Sequence, residues 1–291
     1  MNATQRFRKL VARDEILPAM GGYDALSASL IEQAGCEVVY MSGSSVSMSV
    51  YGYPDVGLTT MTEMTERARQ MVNAVDLPVI CDADTGYGNP INVMRTVEEF
   101  ESAGVAGIHI EDQEFPKKCG HFNDKSVIPT EEMVQKLRAA TDARDDDDFA
   151  IIARTDARSV HGFEEAIERS YAYVDAGADI IFFEAPTTET ELRRVGDTFD
   201  DVPLLANMTE GGKTPQFSAA EFDEFGFDIV LFPATGFKAA AKALQTVYEE
   251  IAENGTQEGV MDQLVSWQGR NRITGLNQIL RLEEKYATDT D

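Results

Sequence analysis

Eight short apolar runs, each ending on polar or acidic residues, constrain this chain more than any other feature. They occupy residues 16–20, 37–41, 78–81, 107–110, 149–153, 179–183, 203–206 and 228–232. Runs this short, bounded by turn signals, read as strands buried on both faces, as a parallel sheet requires. Helix-like segments lie between them at 64–74, 93–103, 131–140, 163–176 and 219–224. The alternation predicts an α/β fold, a (β/α)8 TIM barrel, whose catalytic groups gather at the carboxyl ends of the strands. The residues there are Gly21-Gly22-Tyr23-Asp24, Ser42-Gly43-Ser44, Asp82-Ala83-Asp84, Glu111-Asp112, Arg154-Thr155-Asp156, Glu184, Asn207 and Pro233.

A length of 291 residues fits one barrel of about 250 residues with an extension. We therefore expect a single domain over 1–291, with 250–291 as a C-terminal helical extension. No run approaches the roughly 18 apolar residues of a membrane span, and the first residues carry no apolar signal core. The reading is a cytoplasmic protein without a membrane partner. Net charge is −26, and lysine is rarer than arginine. Phosphate backbones demand basic surfaces, so nucleic acid is not an expected partner. Acidic stretches such as 145–148 read as a solvated face, and self-repulsion at this charge calls for screening by salt. That points to a halophilic setting, with plain solubility as the blander explanation.

Three cysteines without a CxxC make no disulfide framework. Cys36 and Cys81 lie in or beside apolar runs and read as packing residues. Cys119 sits instead in Lys117-Lys118-Cys119-Gly120-His121, where neighbouring cations favour a reactive or proton-donating thiol. The segment 114–123 is polar, contains Pro and Gly, and follows a strand, so it is expected to form a mobile lid over the barrel mouth. Two lysines, a thiol and an imidazole suit an anionic carboxylate substrate that gains negative charge during reaction. A basic surface loop is the alternative.

Asp82 and Asp84 stand two apart at a strand end, which places both carboxylates on one side. Glu111 closes the next strand and adds a third. Such an oxygen set suits Mg²⁺, with Mn²⁺ as the other candidate; helix caps or loop hydrogen bonds would be the non-metal use of these residues. Arg154 offers a planar fork for a carboxylate, or an ion pair to Asp156 or Glu184. Ser42, Gly43 and Ser44 form a plausible carboxylate nest. His109 reads as a satisfied core histidine, and His161 as the start of a helix. No GxGxxG follows a strand and no GxxxxGK[ST] occurs, so no nucleotide cofactor is expected.

At these residues the chain resembles the isocitrate lyase/phosphoenolpyruvate mutase superfamily over nearly its whole length. Lys117-Lys118-Cys119-Gly120-His121 matches the lyase signature, and Cys81-Asp82-Ala83-Asp84-Thr85-Gly86, Ile110-Glu111-Asp112-Gln113 and Ala153-Arg154-Thr155-Asp156-Ala157 fit the same pattern. The resemblance implies Mg²⁺, a homotetramer with the last barrel helix exchanged between subunits, and cleavage of a C–C bond in a 2-hydroxy di- or tricarboxylate. It places Tyr40 and Asp55 near the metal and Glu184 and Asn207 against substrate or Arg154. It also implies a metal-ligand role for Asp55 and catalytic roles for Tyr40, Lys117, Cys119, His121 and Arg154, with Cys119 protonating the leaving carbanion. The segment 207–215 lacks the Ser-Pro-Ser-Phe-Asn-Trp of isocitrate lyases and is similar to methylisocitrate and 2-alkylmalate lyases. The expected reaction is 2-methylisocitrate to pyruvate and succinate. The alternatives are a 2-alkylmalate (dimethylmalate-type) or isocitrate lyase, an oxaloacetate hydrolase or decarboxylase, a phosphonomutase-type enzyme, or a non-catalytic metal-binding barrel.

The acidic balance generates a first prediction. A thermal melt in increasing KCl should move upward between low and molar salt, because screening relieves repulsion within a chain of charge −26. A flat or falling midpoint would contradict it.

Overall fold

The computed structural model describes residues 1–120 and 124–287. Eight parallel strands close into a barrel in sequence order. They are β1 (Leu17–Gly22), β2 (Val39–Met41), β3 (Val79–Asp82), β4 (Gly107–Glu111), β5 (Ala150–Thr155), β6 (Ile180–Phe183), β7 (Leu204–Asn207) and β8 (Ile229–Phe232). Each coincides with one of the eight apolar runs. The fold expectation holds for the barrel and for additional C-terminal helices. The chain divides into two compact units, Met1–Phe237, which holds all eight strands, and Lys238–Asp291. Within the second unit lie most of the helix Thr235–Asn254 and the helices Trp267–Ile273 and Leu276–Tyr286. Among the described residues, no helix is long and apolar enough to cross a membrane.

The five expected helices are present as Met61–Val72, Pro90–Ser102, Thr130–Ala143, Phe163–Asp175 and Ala219–Glu224. Local chemistry sets their starts. Thr60, Asn89 and Ser218 cap with side-chain oxygens, and Pro90 opens its helix where no N–H is needed. The helices Ala3–Val11, Ala25–Gln33 and Glu189–Thr198 add to these. His161 does not start a helix: it ends the short turn Arg158–His161, after which Gly162 at φ +97° resets the chain for the helix from Phe163.

Strand alternation sorts the core into two layers. Val39, Met41, Val79, Cys81, Ile108, Ile110, Ile151 and Ala153 pack outward with the helices. Leu17, Ala19, Val38, Tyr40, Ile80, Ile152, Ile180, Phe182, Leu205, Ile229 and Leu231 fill the barrel, together with Phe7 and Val11 of the first helix. Continuing the inward positions toward the carboxyl ends leads from these apolar residues to Asp82, Glu111, Arg154 and Asn207. The apolar layer is therefore the floor of the polar one.

The ends of β4 and β5 are locked by a buried polar network. Asp112 accepts from the Thr155 hydroxyl at 2.8 Å, the Asp156 backbone N–H at 2.8 Å and the Tyr173 hydroxyl at 2.8 Å, and Arg169 Nη1 lies 3.3 Å away. Burial, followed by the charge of Asp156, raises the Asp112 pKa, so these donors offset a desolvated carboxylate. Tyr173→Phe should lower stability by about 1–3 kcal/mol, the cost of leaving a buried polar partner short of a hydrogen bond. Urea unfolding checks this; an unchanged midpoint would mean that the network does not hold the strand ends.

Candidate active site

Alternation on β3 turns Asp82 inward, and the chain then bends at Asp84, whose φ is +46°. The Asp84 N–H donates to Asp82 Oδ1 at 3.0 Å, and the Glu111 N–H donates to the Asp84 carbonyl at 2.9 Å. Three acidic residues from two strand ends are thus tied into one backbone unit. Gly43 faces them at a distance no side chain permits: a Cβ there would lie 2.5 Å from Asp82 Oδ2. Gly43 begins a helical turn, Gly43–Val46, capped by Ser42, whose hydroxyl is 3.2 Å from that of Ser44. The Ser42 N–H is spent on the Gly22 carbonyl, so any anion nest here rests on the amides that follow.

Lys117 enters from the loop after β4 and is buried. Its ammonium donates to Asp55 Oδ1 and lies 2.9 Å from Asp84 Oδ1. Burial alone would lower its pKa, but Asp84, Asp55, Asp82 and Glu111 carry it well above the usual lysine value. Arg154 is held at Nε and Nη2 by Asp156 (3.0 and 3.2 Å), with Glu111 Oε2 at 3.2 Å and Glu184 Oε1 at 3.9 Å. Its guanidinium also stands over the Phe182 ring. Both ion pairs anticipated for Arg154 exist. Asn207 donates to Glu184 at 3.2 Å, so it reaches Arg154 only through that carboxylate.

The loop carrying the thiol is closed at its base by Gln113 pairing with Val127, and the Gln113 side chain brackets the Lys118 backbone on both sides. Cys119 is half-buried and Gly120 is buried. Tyr40, Ser42, Ser44, Asp55, Asp82, Lys117, Lys118, Cys119, Gly120, Arg154, Glu184 and Asn207 line one cavity of about 50 Å³. The structure brings these candidates together; His121 lies outside the described residues. Cys81 is buried and its thiol is pushed up by burial, while Cys36 is partly exposed, so neither shares the chemistry of Cys119.

The expected metal ligands are close but not assembled as a ready-made cluster. Among the described residues, no three His, Cys, Asp or Glu side chains converge on one metal position. Lys117 bridges Asp55 and Asp84, and Glu111 leans toward Arg154. Two observations nevertheless fit a cation here. Glu111 Oε1 is buried without a hydrogen-bond donor, and Asp84 Oδ1 is met by Lys117 alone. Burial also raises the pKa of Asp82 and Glu111, and that of Asp84 to about 6, despite Lys117 and Arg154 nearby. The donor set is short of positive charge.

Two features were not read from the sequence. His109 is buried, as expected, but it is only half satisfied. Its Nε2 pairs with the Tyr40 hydroxyl at 2.9 Å and lies 3.6 Å from Asp82 Oδ1, while Nδ1 has no partner. Burial, then Arg154, lowers its pKa to about 3, keeping the ring neutral. Its parity with Glu111 on β4 was the available signal for an inward-facing site residue. The second feature is Lys125, buried against Asp156, for which a loop offers no periodicity to read.

Comparison with known proteins agrees with this geometry. The phosphoenolpyruvate phosphomutase family model matches residues 7–252. The chain is 46% identical to 2,3-dimethylmalate lyase of Eubacterium barkeri, over 99% of each. It is 49% identical to 2-methylisocitrate lyase of Aeropyrum pernix, over 88% of this chain and 82% of that one. A crystal structure of 2,3-dimethylmalate lyase superposes with a TM-score of 0.92 at 38% identity, covering 98% of this chain and 95% of that one. The chain belongs to the phosphoenolpyruvate mutase/isocitrate lyase superfamily, in its methylisocitrate- and alkylmalate-lyase-like branch, and is a carbon–carbon lyase acting on a small hydroxy di- or tricarboxylate.

Proposed function

We propose that the chain cleaves a 2-alkylmalate of the 2,3-dimethylmalate type, giving pyruvate and propionate, in place of the 2-methylisocitrate expected from sequence. The observation that carries the lyase chemistry is the shared cavity: Cys119, Lys117 and Arg154 line it together with Asp82. The cavity measures about 50 Å³. Its lining cations are Lys117, Lys118 and Arg154, the first and last already engaged by carboxylates. The end-to-end match to the dimethylmalate lyase favours the dimethylmalate-type substrate. 2-Methylisocitrate is the second reading, favoured by the 49% identity to the Aeropyrum pernix enzyme.

In this reading Asp82, Asp84 and Glu111, with Asp55 beside them, would hold Mg²⁺ or Mn²⁺. When bound, the ion supplies Lewis acidity toward the substrate's 2-hydroxyl and its neighbouring carboxylate. Ser42, Gly43 and Ser44 would orient a substrate carboxylate from the opposite wall. After a base takes the hydroxyl proton, the C2–O bond becomes a carbonyl and the C2–C3 bond breaks. Its electron pair passes to C3, beside the second carboxylate. Arg154 and Lys117 face that developing charge as fixed cations in a dry site, where preorganised charges act most strongly. Cys119 then donates its proton to C3, and His121 would assist from the same loop.

The helix Thr235–Asn254 buries none of its residues, and Leu244, Tyr248, Ile251, Trp267, Ile279 and Leu282 are exposed in the single chain. Apolar surface on this scale supports self-association, and the family resemblance makes that assembly a homotetramer with the last barrel helix exchanged between subunits.

A panel of 2,3-dimethylmalate, 2-methylisocitrate, isocitrate and oxaloacetate, scored by released keto acid for the first three and by oxalate or pyruvate for oxaloacetate, tests the assignment. The highest kcat/KM should fall on 2,3-dimethylmalate; cleavage of oxaloacetate alone would overturn the lyase reading. EDTA should abolish turnover and Mg²⁺ or Mn²⁺ restore it, whereas full activity after rigorous chelation would remove the metal from the mechanism. Cys119→Ser should lower turnover by about 10²–10⁴-fold, the usual worth of a positioned general acid. Substrate binding and melting temperature should stay nearly unchanged. An equal loss from Cys36→Ser or Cys81→Ser would mean that folding was being measured.

A further inference from the structure

Lys125 does not line the cavity, yet its side chain is only 1% exposed. Its ammonium donates to the carbonyl of Gly120 and to Asp156 Oδ1. Asp156 is the carboxylate that grips Arg154 through two guanidinium nitrogens. Burial would raise the Asp156 pKa, but Arg154 and Lys125 together hold it below the usual carboxylate range. One buried ammonium thus joins the backbone beside Cys119 to the group that orients Arg154.

The other side of this junction is equally tight. A Cβ on Gly120 would lie 2.3 Å from Arg154 Nη2 and 2.3 Å from Glu184 Oε1. The loop backbone therefore stands directly against both side chains, and glycine alone permits the approach. Charge pairing does not demand a second cation on Asp156, because Arg154 already supplies a bidentate partner. Burying a lysine is expensive unless its hydrogen bonds are met. The Gly120 carbonyl is one of those bonds, and it is the one that reaches the catalytic loop.

We propose that Lys125 is a positioning residue: it pins the Cys119–Gly120 backbone against Arg154, so that one ammonium sets both the proton donor and the guanidinium. The proposal deepens the lyase reading above and rests on it for the role of Cys119. A displacement of about 1 Å at a reacting group can cost about 10²-fold. Loss of this pin should therefore appear mainly in turnover.

The test uses Lys125→Met, Lys125→Gln and Lys125→Arg in the full chain, with two readouts. In the first, iodoacetamide alkylation of Cys119 is followed by peptide mass spectrometry without substrate, with Cys36 and Cys81 as internal references. The methionine variant should alkylate Cys119 at least about threefold faster relative to Cys36, with Cys81 still protected. Glutamine keeps a donor for Gly120 but no charge, and arginine keeps both, so each should reverse part of the change. In the second readout, kcat on the best substrate of the panel should fall about 10–10²-fold in the methionine variant while KM changes less than about threefold. Unchanged Cys119 alkylation in both the methionine and glutamine variants would overturn the proposal, as would a loss expressed wholly in KM. The alkylation readout needs no turnover, so a failure of the lyase reading itself would show separately, as a wild-type enzyme that cleaves none of the panel.

Discussion

A buried imbalance of charge underlies the rest of this structure. Among the described residues at the barrel mouth, the carboxylates of Asp55, Asp82, Asp84, Glu111, Asp156 and Glu184 face the cations Lys117, Lys125 and Arg154. Six acids against three bases cannot all be charged in a low-dielectric site at no cost. Burial pushes Asp82, Asp84 and Glu111 toward protonation, and Glu111 Oε1 has no donor. Asp156, gripped by Arg154 and Lys125, is driven the other way. The mouth is therefore divided into a charge-balanced half around Asp156 and an acid-rich half around Asp82, Asp84 and Glu111.

The barrel makes that division possible. Alternate residues of every strand point inward, so the apolar layer of Ile80, Ile152, Phe182 and Leu205 continues directly into Asp82, Arg154 and Asn207. Apolar packing below and the loop carrying Cys119 above keep water from screening these charges. Arg154 gains most from this. It stands over the Phe182 ring, is oriented by Asp156, and its partners Glu111 and Glu184 come from the neighbouring strands' ends. The Asp112 network beneath, with Thr155, Arg169 and Tyr173, holds the two strand ends on which Glu111 and Arg154 sit.

Much of this was legible in the sequence because strands impose a period of two. The eight runs located the strands, and the residues following them supplied Asp82, Glu111, Arg154, Glu184 and Asn207. The same parity placed His109 inward beside Tyr40, but an apolar neighbourhood made it look like ordinary core. Loops carry no such period. Nothing in Asp124-Lys125-Ser126 signals that Lys125 is buried and turned back to Asp156, and nothing after Ser42 signals a capped helical turn rather than an open nest. The expected carboxylates Asp82, Asp84 and Glu111 all lie at the barrel mouth, but among the described residues no three of them converge on one metal position. That Lys117 stands between Asp55 and Asp84 was not foreseen, because a loop lysine's reach depends on a fold that pattern alone does not supply.

The proposed metal role assigns one divalent cation to Asp82, Asp84 and Glu111. Equilibrium dialysis of the folded chain against Mn²⁺, read by elemental analysis, tests this without depending on any substrate. One bound ion per chain is expected, lost on Asp82→Asn or Glu111→Gln while the fold is retained. Binding unaffected by both substitutions, or no binding by the wild type at millimolar metal, would contradict it.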